Sequence, residues 1–366
     1  MKKTILFIFK LPPPINGATS MNNYIYRSEK LKINFNRYFI NYGLARSNDD
    51  FGSLKFRKII YYLKSLAKSI LYLINKKIDL CYITIAPKGI AFVKDSMFIL
   101  LLKLFRKKYV IHLHGKGINY KVQSSILWKL YYTFIFKNSN VICLSKRLIQ
   151  DIERIYNGKP FIVPNGINIS DYNSIKVKKN DKIILLFLSN LYKQKGIYNF
   201  IEAIKIIARS TDIPFEGWIV GNSTREISIE DLKNSVSQEG ISKFVKILGP
   251  KYGKEKMKVL KKSDIFIFPT FYEAFGIVNI EAMEAGLPVI STKEGGIPDV
   301  IEDGINGYIV EKNNINQLKD KILFLMNNSS KRREMSDNNR LKFRQKYTLE
   351  IFEDNIIKGF ESILKP

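Results

Sequence analysis

Residues 264–299 read DIFIFPTFYEAFGIVNIEAMEAGLPVISTKEGGIPD, and they say more about the fold than any other part of the chain. The apolar run at 265–268 ends at a proline, which predicts a buried strand. A helical stretch follows from about 276 to 285 and meets a stop signal at Gly286. Residues 289–290 then begin another strand. The pattern therefore predicts a strand–loop–helix–strand unit, which is typical of an α/β fold.

Two carboxylates lie eight positions apart in this unit, Glu273 on the predicted loop and Glu281 on the predicted helix. Either one alone would ordinarily be a solvated surface group. Between them, the amides near Phe275, Gly276 and Ile277 form the positive end of a helix, where phosphate binds well. A phosphate site between two carboxylates suits a molecule with hydroxyls at both ends, such as a nucleotide sugar.

Three segments carry a family resemblance: PTFYEAFG at 269–276, EAMEAGLPVI at 281–290 and EGGIPD at 294–299. Together they resemble the C-terminal signature of the retaining GT-B glycosyltransferases of the group 1, or family 4, type. The Glu-x7-Glu element of that family falls on Glu273 and Glu281. The resemblance implies that Glu273 holds hydroxyls of the transferred sugar and that Glu281 holds the ribose of the donor.

The same resemblance implies two facing Rossmann-like domains with the active site in the cleft between them. Apolar strand patterns support an α/β alternation in both halves, at 5–9, 80–85, 109–113 and 141–144, and again at 182–188, 215–220, 245–248, 265–268 and 289–290. We predict an acceptor-binding domain at 1–168 and a nucleotide-sugar-binding domain at 169–350. A C-terminal helix at 351–366 would cross back to the first domain.

A loop after the predicted strand at 182–188 matches the family in part. Lys195 and Gly196 correspond to its Lys-Gly pair, where an ammonium meets the donor diphosphate. Asn190 stands where the family usually has an arginine, so the second phosphate-binding cation is missing from its usual place. Lys193 could replace it, or backbone amides could carry more of the binding.

Other predicted site residues follow from the resemblance. Gly17 falls in the family's glycine-rich loop, which approaches the donor diphosphate and the acceptor. His114 is the histidine before a glycine that sits near the transferred sugar. Strand period places His112 on the same face, where a structural role is expected. Gly249 and Pro250 belong to the segment that lies against the nucleotide base.

The charge of the chain is strongly uneven. Residues 1–168 hold 29 Lys and Arg against 7 Asp and Glu, whereas the remaining residues hold 31 against 26, within a formal net charge of +27. Such a field attracts polyanions or anionic membranes. The basic, apolar segment at 55–74 could lie on a membrane surface or could pack its apolar face inward as an ordinary domain helix.

Several expectations concern partners and location. Cys81 and Cys143 read as reduced, buried thiols of a cytoplasmic protein. No apolar stretch reaches the length of a membrane span. We expect no metal and no cofactor besides the donor, because the Asp-x-Asp element of metal-dependent GT-A enzymes is missing, and residues 48–50 (Asn-Asp-Asp) read as a surface turn.

The resemblance implies a retaining, metal-independent glycosyltransferase, and the charge distribution favours a place at the inner face of the cytoplasmic membrane, as a peripheral protein. A UDP-sugar is favoured over a GDP-sugar as the donor, although the segment at 249–250 fits uracil and guanine alike. The expected acceptor is a glycan or lipid-linked glycan of bacterial polysaccharide or lipopolysaccharide biosynthesis. No nucleic-acid partner is expected, since no nucleic-acid-binding signature is present. The alternative is a nonenzymatic protein that binds anionic membranes or nucleic acid on a degenerate GT-B scaffold.

Overall fold

The computed structural model describes residues 2–43, 55–178 and 181–365, so the predicted turn at 48–50 lies outside the described residues. The chain divides into two compact units. Unit 1 comprises Met1–Gly166 and Leu349–Pro366, and unit 2 comprises Ile167–Thr348. The first boundary falls two residues before the predicted one, and the whole C-terminal helix groups with unit 1.

Unit 1 is built on six parallel strands in the order β2-β1-β3-β4-β5-β6. The strands are β1 (Thr4–Phe9), β2 (Asn36–Asn41), β3 (Leu80–Ile85), β4 (Tyr109–Leu113), β5 (Asn140–Cys143) and β6 (Phe161–Ile162). All six residues of β3 are buried, because helices cover both faces of the sheet and leave no side for polar alternation.

The helices of unit 1 are α1 (Gly17–Arg27), α2 (Glu29–Asn34), α3 (Lys55–Asn75), α4 (Gly89–Leu104), α5 (Ile118–Ser124), α6 (Ile126–Phe136) and the C-terminal α14 (Leu349–Leu364). One face of the sheet packs against α3, α4 and α6 in a continuous apolar core. On the other face, Phe7 and Tyr82 contact the ring of Phe360 in α14. The C-terminal helix is therefore part of the core of unit 1.

Unit 2 holds a second six-stranded parallel sheet in the order β12-β11-β10-β7-β8-β9. Its strands are β7 (Ile183–Leu188), β8 (Phe215–Val220), β9 (Val245–Gly249), β10 (Ile265–Phe268), β11 (Val289–Thr292) and β12 (Gly307–Val310). The helices are α7 (Ile197–Ile207), α8 (Ile229–Gln238), α9 (Gly253–Lys262), α10 (Ile277–Ala285), α11 (Ile297–Val300), α12 (Ile315–Asn327) and α13 (Ser329–Lys346).

The strand order of unit 2 reverses between β7 and β10. From β7 the chain moves outward through β8 and β9, and it then returns to the other side of β7 to lay down β10, β11 and β12. Loops that leave the carboxyl ends of β7 and β10 therefore run in opposite directions and open a crevice, which is where ligands bind in sheets of this kind. The predicted α/β class and all nine predicted strands are confirmed, while β2, β6 and β12 were not predicted.

Candidate active site

The crevice of unit 2 holds an ion pair between two of the predicted residues. Lys195 follows β7, Glu273 follows β10, and these strands are neighbours. The Lys195 Nζ donates to Glu273 Oε2 at 2.8 Å and to the carbonyl of Tyr272 at 3.1 Å. The two side chains are 18% and 20% exposed, so a ligand can reach both. The structure thus brings together the cation and the carboxylate that the sequence placed 78 positions apart.

Backbone contacts fix the two loops that carry this pair. Gly196 has φ +80°, and a Cβ there would lie 2.0 Å from the carbonyl oxygen of Pro269. The amide of Phe271 donates to the Gln194 carbonyl at 2.8 Å, and the Thr270 hydroxyl donates to the same oxygen at 3.1 Å. Only glycine allows so close an approach in this conformation. The Lys-Gly pair therefore serves both the cation and the loop packing.

A second glycine contact supports the Glu273 loop from the β11 side. Gly295 has φ +52°, and a Cβ there would lie 2.2 Å from the carbonyl oxygen of Glu273. The amide of Gly296 donates to the Ala274 carbonyl at 2.7 Å. The buried Glu294 just before them accepts from Lys312 Nζ at 2.6 Å. The sequence pattern included this Glu-Gly-Gly segment but did not predict that it holds Glu273 in place.

The helix α10 begins directly after the loop, as predicted. Gly276 precedes it with φ +79°, and no side chain caps the helix. Its first amides therefore remain available to an anion. Phe275 is buried and packs its ring against Tyr347, so its side chain has a structural role. Any contact of Phe275 with a ligand would come from its backbone amide. Ile277 is the first residue of the helix.

Asn279, in the first turn of α10, was missed by the sequence analysis. Its side chain is fully buried, and neither of its polar atoms has a hydrogen-bond partner among the described residues. Unpaired buried amides are rare in proteins. A Cβ on Gly276 would lie 2.6 Å from Asn279 Nδ2, so glycine is needed there for both the backbone angle and the space.

Glu281 lies about one turn into α10 and has its own cationic partner. Lys256, near the start of α9, donates from Nζ to Glu281 Oε1 at 2.7 Å. The two side chains are 28% and 18% exposed. The ammonium holds the carboxylate in one position while leaving its other oxygen for a ligand hydroxyl. This partner could not be predicted, because it depends on how α9 packs beside α10.

The remaining predicted residues of unit 2 stand at the ends of β7 and β9. Gly249 is the last residue of β9 and has φ +65°, and Pro250 after it is exposed. Asn190 is exposed in the loop after β7. The side-chain amide of Asn222, just after β8, donates to the Tyr252 hydroxyl, which links the loops that follow β8 and β9.

Gly17 and His114 belong to unit 1. Gly17 is the first residue of α1, which Asn16 and Thr19 cap reciprocally. His114 follows β4, and its ring lies 4.0 Å from that of His112, as the strand period predicts. The buried His112 makes a 2.7 Å hydrogen bond between Nδ1 and the Tyr82 hydroxyl, which supports its structural role.

Exclusion of water from the ring nitrogens sets the charge of these histidines. His112 is fully buried, and His114 is half-buried with both ring nitrogens shielded from solvent. Desolvation lowers the pKa of His114 to about 3. Desolvation, reinforced by the neighbouring His114, lowers the pKa of His112 well below its ordinary value. Both rings are therefore neutral at physiological pH. A neutral His114 can donate or accept a hydrogen bond, but it does not supply positive charge.

The described residues contain no group of three or more His, Cys, Asp or Glu side chains arranged to hold a metal ion. None of the helices in the described ranges has the length and apolar character to cross a membrane. Cys81 and Cys143 are free and buried, and burial raises the pKa of each thiol to about 12.

Comparison with known proteins identifies the family. Residues 169–342 match the model of the glycosyl transferases group 1. An uncharacterized glycosyltransferase of Methanocaldococcus jannaschii is 29% identical over 314 residues, which cover 84% of this chain and 82% of that protein. The capsular polysaccharide biosynthesis glycosyltransferase CapM of Staphylococcus aureus is 27% identical over 209 residues, which cover 55% of this chain and 54% of CapM.

A solved structure shares the fold. HepE from Anabaena, in complex with UDP, superposes with a TM-score of 0.74 at 17% identity, over 98% of this chain and 100% of that one. At this level of identity the likeness concerns the fold, and it confirms the predicted GT-B class. The chain is thus a glycosyltransferase, and its residues 169–342 belong to the glycosyl transferases group 1 family.

Proposed function

We propose that this glycosyltransferase moves a sugar from a nucleoside diphosphate to an acceptor hydroxyl with retention of anomeric configuration. The observation that carries the proposal is the Lys195–Glu273 pair at the strand-order reversal of unit 2, next to the uncapped start of α10. A cation and free helix amides suit a diphosphate, and a carboxylate suits the hydroxyls of the sugar attached to it. A UDP-sugar is the favoured donor, and the UDP complex of HepE supports that choice.

The proposed chemistry needs only groups of this chain and the two substrates. As the bond between the anomeric carbon and the phosphate oxygen breaks, negative charge grows on the leaving diphosphate. Lys195 and the amides around Gly276 would stabilise that charge. Glu273 would accept hydrogen bonds from the sugar hydroxyls, and the acceptor oxygen would attack from the same face. Its proton would pass to the departing phosphate oxygen, which balances the step without a bound metal.

Other residues would position the donor. Glu281, held by Lys256, would accept from the ribose hydroxyls. Gly249 and Pro250 would lie along the base, and Asn190 near the diphosphate. The neutral His114 and the start of α1 at Gly17 would line the transferred sugar and the acceptor.

We propose a glycan or lipid-linked glycan as the acceptor, within bacterial polysaccharide or lipopolysaccharide biosynthesis. The role of the related CapM in capsular polysaccharide biosynthesis supports this setting. The excess positive charge of residues 1–168 suits an anionic, membrane-borne substrate. The enzyme would then work peripherally at the inner face of the cytoplasmic membrane.

The test is release of nucleoside diphosphate from UDP-, GDP- and ADP-sugars in the presence of EDTA. We expect release from one donor, and we expect Glu273→Gln and Lys195→Met each to lower it by about 10²–10³-fold. Glu230→Gln, an exposed carboxylate on α8, is the matched control and should leave the rate unchanged. NMR of the anomeric proton in the product would report retention or inversion.

Each outcome bears on a different part of the proposal. Inverted product would overturn the retaining mechanism while leaving the donor site in place. Release that stops in EDTA and returns with a divalent ion would overturn metal independence. No release from any donor, with lipid-linked acceptor extracts present, would favour a nonenzymatic binding protein.

A further inference from the structure

Helix α3 carries large apolar side chains on both of its sides. Leu73 is buried in the core of unit 1, with Leu66 and Tyr72 packed against that core, and a second set of large apolar side chains faces solvent. Ser65 and Ser69 are buried, and each hydroxyl donates at 2.9 Å to the carbonyl four residues earlier. The large apolar side chains on the solvent side of α3 are Phe56, Ile59, Ile60, Leu63, Leu71 and Ile74. The solvent side of an ordinary domain helix is mostly polar. The helix thus packs one apolar face inward, as the alternative of an ordinary domain helix expects, and it also leaves large apolar residues among its lysines on the solvent side.

The neighbouring helices continue the same surface. On α4, Ile90 is 80% and Leu104 is 75% exposed, and on α6, Leu127 is 73% and Leu130 is 60% exposed. Both helices also supply buried residues to the core that covers one face of the unit 1 sheet, together with α3. Their outer sides therefore point away from the same face of that sheet. We call this surface the α3/α4/α6 face.

The charge of this region has one sign. Residues 55–137 contain 17 Lys and Arg and only two acidic residues, Asp79 and Asp95. Asp79 accepts from the amide of Thr4 at 2.8 Å, and Asp95 accepts from Lys10 Nζ at 3.0 Å and from the amide of Ala86 at 2.7 Å. Both carboxylates are thus engaged in holding the fold. Over this stretch of described residues, the solvent side therefore presents lysines and exposed aliphatic side chains, and neither acidic residue is left free in solvent.

We propose that the α3/α4/α6 face binds an anionic phospholipid bilayer, with the aliphatic side chains among the acyl chains and the lysines at the headgroup phosphates. The inference rests on the proposed function only in that a membrane-borne acceptor needs the enzyme at a membrane. Lysine suits such a surface because its stem lies along apolar groups while its ammonium reaches the headgroups. Anionic lipid supplies the negative charge that the face lacks.

Two other occupants fit the surface less well. A second copy of the chain would bring one all-basic face against another, which like-charge repulsion opposes. A nucleic acid would meet the cations but would leave Leu63, Leu127 and Leu130 facing a polar, wet interface. The combination of aliphatic groups and lysines in one surface therefore favours lipid.

The experiment is vesicle flotation of the full-length protein at low and high salt. One set of vesicles contains phosphatidylcholine alone. The other contains phosphatidylcholine with about 30% phosphatidylglycerol, which represents an anionic leaflet. Wild type should bind the anionic vesicles at least about tenfold more tightly than the neutral ones, and high salt should release most of it.

Two variants and one control separate the contributions to binding. Leu63→Ser with Leu130→Ser should weaken binding to anionic vesicles about tenfold or more, and Lys64→Gln with Lys68→Gln should remove most of the salt dependence. The control, Leu341→Ser, changes an equally exposed apolar residue of unit 2 and should bind like wild type. Circular dichroism and thermal melting would show that all variants fold.

Failure of this inference is distinguishable from failure of the proposed function, because donor release is measured without vesicles. Equal binding to neutral and anionic vesicles, or no binding, would overturn the surface assignment even if donor release is intact. So would a stable dimer that the leucine variants dissociate, or a nucleic acid that displaces the vesicles and binds more tightly. If the chain binds vesicles but releases no nucleoside diphosphate, the result would support the membrane-binding face and contradict the proposed function.

Discussion

The Lys195 ammonium lies 2.8 Å from a carboxylate oxygen of Glu273, across the ends of two strands that are adjacent in the sheet and far apart in the chain. Each group is partly exposed, so the ion pair on its own stabilises the fold only modestly, by about 0–1 kcal/mol. The location of the pair matters more than its contribution to stability, because the two residues lie where the strand order of unit 2 reverses. A donor that binds there meets the cation and the carboxylate in a fixed arrangement.

We predict that the two residues act as a unit. Lys195→Met and Glu273→Gln should each lower kcat/KM for the donor by about 10²–10³-fold. The kcat/KM of the double variant should be little lower than that of the less active single variant. The melting temperature should change by no more than a few degrees. Steady-state kinetics of the four proteins, as a double-mutant cycle, would check this. Losses that simply multiply would mean that the residues contribute independently.

The close approach of Gly295 to the Glu273 carbonyl leads to a second prediction. Gly295→Ala should displace the Glu273 loop and lower kcat/KM by about 10²-fold, because its Cβ would lie 2.2 Å from that oxygen. Gly304→Ala is the matched control, since Gly304 also has positive φ but its Cβ would meet nothing within 4 Å. The control should cost about 1–2 kcal/mol of stability from backbone strain and leave kcat/KM intact. Thermal melts and donor kinetics separate the two effects.

The Lys256–Glu281 pair should affect donor binding more than chemistry. Without its 2.7 Å partner the Glu281 carboxylate loses its fixed position, so Lys256→Gln should raise the donor KM by about tenfold and change kcat by less than threefold. Lys258→Gln is the control on the same helix, where the lysine pairs with the exposed Glu255. A large fall in kcat with unchanged KM would instead place Glu281 at the reacting centre.

The fold could be predicted where the strands are apolar runs. β3, β4, β8 and β10 begin and end at the predicted residues, since each is buried on both faces. The strand β2 (Asn36–Asn41) was missed because it lies at the sheet edge, where half-exposed polar residues interrupt the run. β6 contains only two residues and is too short to leave a pattern in the sequence.

The sequence predicted those residues of the candidate site that belong to the family motif, but not the contacts that hold them in place. The roles of Glu273, Glu281 and Lys195 came from the resemblance to a family, and the strand order then explains why two of them meet. The contact from Lys256 to Glu281 spans 25 positions and depends on packing between α9 and α10, which spacing alone cannot reveal. Likewise, the pattern contained Gly295, but its contact with the Glu273 carbonyl becomes visible only when β11 is placed beside β10.

The orientation of α3 could not be predicted from its composition. An amphipathic sequence fixes which residues share a helix face, but it does not fix which face meets the core. Here the inward stripe includes Ser65 and Ser69, whose hydroxyls are satisfied by the helix itself and therefore tolerate burial. Leu73 joins the core on the same side, and large apolar residues such as Leu63 and Leu71 face solvent.

The last prediction concerns pH and the two histidines, the buried His112 and the half-buried His114. The folded state keeps His114 neutral with a pKa lowered to about 3, and it keeps His112 neutral as well, whereas an unfolded chain binds protons at both below about pH 6.5. Since the unfolded state binds more protons there, the free energy of unfolding should fall as pH falls from 6.5 toward 3. For His114, linkage sets the loss between pH 7 and 5 at about 2 kcal/mol, and His112 adds a loss of the same sign.

Denaturant unfolding at pH 5, 6 and 7 would check this, in a window that lies above the ordinary carboxylate titrations. The chain has only these two histidines, and their part of the slope is identified by its loss in a histidine variant. Burial raises the pKa of Glu284, which affects stability in the opposite direction, so the variant and wild type are compared at each pH. His114→Gln should remove the His114 part of the slope while leaving the Tyr82–His112 hydrogen bond in place. The rate of nucleoside diphosphate release by the wild-type enzyme should show no step near pH 6.5, because the His114 ring stays neutral above and below that pH. A flat stability profile, or a His114-dependent step in activity near pH 6.5, would show that His114 is solvated and charged instead.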